Sequence, residues 1–79
     1  MHEVTIRYWA AAQAAAGTHE ERLTAADLGQ LREAALHAHP GLAPVLKVAS
    51  FLLDGRRIDD AATLPAESVV EVLPPFAGG

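Results

Sequence analysis

The chain ends on Gly78-Gly79, directly behind Pro74-Pro75-Phe76-Ala77, so its final carboxylate has no side chain beside it. Glycine lacks a Cβ, and two in succession can enter a narrow active site and let another backbone or a nucleotide approach closely. Proline fixes φ near about −65° and biases the preceding residue toward extended backbone, so residues 72–75 stay extended and the last residues project from the fold. At roughly 3.3 Å per extended residue, Phe76 to Gly79 reach on the order of 13 Å into a partner. The Gly79 carboxylate is the candidate reactive group. Chain ends are commonly disordered and glycine is frequent in them, so the pair gains its weight from the rest of the chain.

That rest is short. Seventy-nine residues make one domain with a single modest core and no room for an elaborate enclosed active site, so a partner is expected to supply the pocket. The net charge of −4 argues against nucleic acid, which favours a basic face, and Arg56-Arg57 is the only basic pair. No stretch approaches the roughly 20 apolar residues of a membrane span. Met1-His2-Glu3 opens directly into a strand-like pattern rather than a signal peptide, and a cytoplasmic location is expected. The chain has no cysteine, which excludes disulfides, thiolate metal sites and a thiol nucleophile; any covalent sulfur chemistry would fall to the terminal carboxyl. His37 and His39 are roughly 200° apart around a helix and cannot share one ion from a single face. A helix C-terminus, where partial negative charge suits imidazolium, is the better place for both.

The elements that must position the tail follow from periodicity. Val4, Ile6 and Tyr8 alternate with Thr5, Arg7 and Trp9, marking residues 3–9 as a strand. Ala10 to Ala16 suits a short helix ended by a left-handed Gly17. Residues 18–24 form a second, polar strand, and an edge position explains its charge. Asp27 and Gln30 have the spacing of a capping box, so a helix starts at Leu28 and presents Leu28, Leu31, Ala35, Ala38 and Leu42 as one stripe. Pro40-Gly41 ends it, and residues 40–47 are an irregular link. Residues 49–53 are an apolar strand, Asp54-Gly55 a type I′ hairpin turn, and residues 56–58 the return. A loop follows, pinned by Leu64, and residues 69–73 suit a central strand. The result is an α+β domain over residues 1–75 in which one main helix covers one face of a mixed sheet, with residues 76–79 as an exposed tail.

This order, with an apolar last strand running into Leu73-Pro74-Pro75-Phe76-Ala77-Gly78-Gly79, resembles the ubiquitin-like β-grasp sulfur carriers, and among them most resembles the small subunits of molybdopterin synthase. The resemblance covers nearly the whole chain; the Pro-Pro-x-x-Gly-Gly tail is its specific part. Two positions depart from the pattern: Gln13 stands where arginine is frequent, and Glu67-Ser68 occupies a turn where Gly-Asp is usual. The resemblance implies that an E1-like adenylyltransferase uses ATP to activate the Gly79 carboxylate and that a sulfur donor enzyme converts it to a thiocarboxylate. Adenylation removes the charge that repels nucleophiles and supplies a leaving group. The tail then delivers sulfur inside the large synthase subunit, where a cyclic pyranopterin precursor is built into molybdopterin. The chain by itself is then no enzyme and holds no permanent cofactor or metal.

By the same resemblance Gly79 carries sulfur, Gly78 grants access, and Pro74, Pro75, Phe76 and Ala77 aim and anchor the tail in the partner. Phe76 is either an interface anchor or folds back on its own domain. Trp9 belongs either to an exposed sheet face or to the helix-covered core. Arg56 and Arg57 fit solvated hairpin charges better than contacts to an acidic partner. Rival readings are a sulfur carrier for thiamine or cysteine synthesis, a ubiquitin-like modifier joined to lysines, and a binding module with an inert tail.

Overall fold

The computed structural model describes residues 1–75. Strand β1 (His2–Tyr8) alternates strictly: Val4, Ile6 and Tyr8 are fully buried while Thr5 and Arg7 are only partly covered. A tight turn through Ala10 leads to α1 (Ala11–Ala16), which Gly17 closes at φ 75° with its N–H on the Gln13 carbonyl at 2.9 Å. Strand β2 (Glu20–Ala25) pairs antiparallel with β1 and lies at the sheet edge.

Helix α2 (Leu28–Ala38) begins at the capping box. The Asp27 carboxylate accepts from the Gln30 N–H at 2.8 Å, and the Gln30 side chain reaches back to accept from Ala26 at 2.9 Å. The loop around residues 60–62 satisfies two more of the donors that any helix start leaves open: Leu28 N–H bonds the Ala62 carbonyl and Gly29 N–H that of Asp60. Leu28, Leu31 and Ala35 form the buried stripe. Ala38, expected in it, is exposed, because the chain turns away at His39.

The segment expected to be irregular is helical: a 3-10 turn (Pro40–Leu42) followed by α3 (Ala43–Leu46). Pro40 and Pro44 each stand in a first turn, where the missing N–H is not needed. Leu42 and Leu46 are thereby buried against the core.

Strands β3 (Ser50–Leu53) and β4 (Arg56–Arg57) form the hairpin, with Asp54 at φ 51° and Gly55 at φ 79°, as a type I′ turn requires. The return strand is a residue shorter than expected, although Ile58 still donates to the Phe51 carbonyl. Strand β5 (Val69–Leu73) is central. The sheet order is β2-β1-β5-β3-β4, with β5 parallel to β1 and antiparallel to β3. Helices and the Leu64 loop cover one face, where Ile6, Tyr8, Phe51, Val70 and Val72 meet Leu28, Leu31 and Leu42.

Candidate functional site

The tail leaves from the centre of the sheet. On one side Trp9 N–H donates to the Val72 carbonyl at 3.3 Å; on the other, Ser50 stands opposite Leu73. Strand β1 and the Trp9 N–H therefore hold β5 as far as Val72, and β3 holds it to Leu73. Pro74 is buried and Pro75 exposed. Both prolines expected to meet a partner stand just beyond β5, where a missing N–H costs no ladder bond. Phe76, Ala77, Gly78 and Gly79 lie outside the described residues.

The sheet face opposite the helices carries a half-buried apolar strip beside this exit: Leu52, Val69 and Leu73 are each partly exposed and come from β3 and β5. Trp9 borders it. The indole is outside the core: its Nε1–H donates to Glu71 Oε2 at 3.0 Å, and its ring meets His19 edge-on with centroids 4.9 Å apart. Glu71 stands among them, opposite Leu52 and accepting from Trp9, and the arginines that flank the strip on β1 and β2 are neutralised within the fold. Arg7 pairs with Glu20 at 3.0 Å, and Arg22 pairs with Glu3 at 2.9 Å and Glu67 at 2.6 Å. Pairing of these flanking charges and the hydrogen bond to Glu71 lower the desolvation cost of covering this face.

Glu67, one of the two departures from the resemblance, has φ 64°. A side chain there is strained, and the Arg22 ion pair holds it. Gln13 is exposed on α1. Arg56 and Arg57 are exposed on β4 and enter no ion pair among the described residues.

One polar cluster inside the fold had no sequence signal. Tyr8 is fully buried, and its hydroxyl donates to Glu21 Oε2 at 2.7 Å; His39 Nε2 lies 2.6 Å from the same oxygen. A carboxylate offers only lone pairs, so Nε2 carries the proton. Burial, then the hydrogen bond to Glu21 and its charge, push the tyrosine pKa far above its ordinary range. His37 falls in the last turn of α2 and His39 is its C-cap, which fits the helix-end reading, but the His39 ring serves the Glu21 tie. Among the described residues, no three metal-ligating side chains gather.

Comparison with known proteins agrees with this architecture. The ThiS family model matches residues 6–79. The complex of subunits 1 and 2 of molybdopterin-converting factor from Helicobacter pylori contains a similar chain, with 28% identity, a TM-score of 0.74, and coverage of 98% of this chain and 99% of that one. The solution structure of small archaeal modifier protein 1 from Methanosarcina acetivorans gives 23% identity and a TM-score of 0.88 over 100% of this chain and 98% of that one. Its counterpart from Haloferax volcanii gives 22% and 0.87 over 98% and 99%. At those identities the two modifiers show the fold alone, the ubiquitin-like β-grasp. No curated protein matches the chain.

Proposed function

The chain belongs to the ThiS family, and from that premise we propose that it carries sulfur on the Gly79 carboxyl as a thiocarboxylate and delivers it to the large subunit of molybdopterin synthase. The observation that carries this reading is the exit geometry. A central strand, held by β1 as far as Val72 and by β3 to Leu73, runs into a buried proline beside a largely apolar strip, and a Gly-Gly end follows it. A rigid root aims a short tail, and the strip lets a partner hold the domain while the tail enters its active site. Holding reacting atoms in place is the main thing a carrier can contribute to rate.

In this reading an E1-like enzyme spends ATP to adenylate Gly79, and a sulfur donor displaces AMP. The thioacid is ionised at neutral pH and attacks as a nucleophile, so the chain needs no cysteine. Acids and bases for the later steps belong to the large subunit. The subunit complex from Helicobacter pylori supports this recipient over other sulfur acceptors. Purified thiocarboxylated chain, mixed with the cognate large subunit and the cyclic pyranopterin precursor, should yield the dithiolene product. A mixture that leaves the precursor unchanged would point to another acceptor.

A further inference from the structure

Strand register separates the two hairpin arginines. Arg56 stands opposite Leu53, whose side chain packs against the core, and Arg57 opposite Leu52, on the sheet face away from the helices. Residues directly opposed in a ladder share a face, so the pairings lay one row across that open side: Glu20, Arg7, Glu71, Leu52, Arg57. Glu20 and Arg7 neutralise each other at 3.0 Å. Two charges are left over. Glu71 accepts one hydrogen bond, from the Trp9 indole, and enters no ion pair among the described residues. Arg57 is exposed and enters none there either. With neighbouring strands about 4.8 Å apart, the two stand on the order of 10 Å from each other, and Leu52 lies between them.

We propose that the large subunit meets this row with the opposite charges, a carboxylate over Arg57 and a cationic side chain over Glu71, divided by an apolar contact to Leu52, and that this pattern selects the partner. The proposal rests on the preceding reading for the identity of that partner. One hydrogen bond lowers the cost of drying the Glu71 carboxylate but leaves its charge unpaired, and a few half-buried apolar side chains do not offset a buried unpaired charge. A cation supplied by the partner removes that cost. A like charge set over either residue repels, so Arg57 and Glu71 act on partner choice more than on gross affinity. A second copy turned about an axis along β3 would also set Arg57 over Glu71. That arrangement leaves Trp9 uncovered, because β1 lies two strands from β3 while on the other side the sheet ends at β4. A larger partner can cover the whole strip.

The test titrates the full-length chain into the cognate large subunit by calorimetry at low and high salt. Arg57→Glu should bind at least about tenfold more weakly than wild type, with the difference shrinking as salt rises and the urea midpoint unchanged. Glu71→Gln keeps an acceptor for the Trp9 indole and should bind roughly threefold more weakly. Unchanged affinity of either variant, or tighter binding of Glu71→Gln, as an apolar or acidic cover would give, overturns the proposal and leaves sulfur delivery standing. Concentration-dependent wild-type dimers that Arg57→Glu disperses would assign the row to a second copy and overturn it as well. A wild-type chain that does not bind the large subunit removes the preceding reading and this one with it.

Discussion

Tyr8 places a hydroxyl inside an apolar core, which is tolerable only because Glu21 accepts from it and His39 binds the same carboxylate. Tyr8→Phe keeps the ring and deletes one hydrogen bond to a charged group, so urea denaturation should show a loss of roughly 1.5 kcal/mol. The pH dependence has a defined sign. The native pKa is raised, so above about pH 10 the unfolded chain releases a proton that the native chain keeps, and stability falls as pH rises. Below that range the contribution is fully present. This is the only tyrosine, and Tyr8→Phe should flatten the alkaline decline; an unchanged slope would assign the decline to other groups. Ala10 makes a second residue-level case. It has φ 50° and ψ −124°, and Ala12 N–H bonds the Trp9 carbonyl across it, a turn position that favours glycine. Relief of Cβ strain outweighs the added chain entropy, so Ala10→Gly should stabilise the fold by roughly 0.5 kcal/mol, readable as a higher urea midpoint.

Among the elements, α2 depends most on its first turn, because the cap also anchors the loop that carries Leu64. Asp27→Ala should cost about 1 kcal/mol by denaturation; no loss would mean that the Leu28 and Gly29 bonds to the loop suffice. Local chemistry made these features legible from sequence: the Asp27 and Gln30 spacing, Gly17 as a left-handed stop, and Asp54-Gly55 as a hairpin. It misled where one residue type has two uses. Pro40 and Pro44 read as breakers, yet proline also suits a first helical turn, so residues 40–47 coil and bury Leu42 and Leu46. The Ala38 expectation failed because periodicity does not reveal where the next segment turns off. At the candidate site, the tail was legible because its meaning lies in adjacent residues. Trp9 with Glu71, Arg22 with Glu67, and Tyr8 with Glu21 and His39 were not, since strand register and helix packing bring residues so distant in sequence together.

At the scale of the whole molecule, the fold divides its labour between two sheet faces. One is covered by helices and supplies stability; the other keeps an apolar strip beside the exit of β5, with the flanking Arg7 and Arg22 already paired. A cysteine-free chain built this way can carry activated sulfur only at its end. Removing Gly79 should leave the domain intact, because the core cluster of the described residues runs from Val4 to Val72, yet it shortens the reach by about 3.3 Å, when misplacement by roughly 1 Å can already cost two orders of magnitude in rate. The most direct measurement is the intact mass of the chain after incubation with its cognate activating enzyme, ATP and sulfide. Exchange of one carboxylate oxygen for sulfur should add about 16 Da to the full-length chain and nothing to the chain lacking Gly79. A full-length chain that never gains this mass, or a truncated one that gains it equally well, would contradict the account.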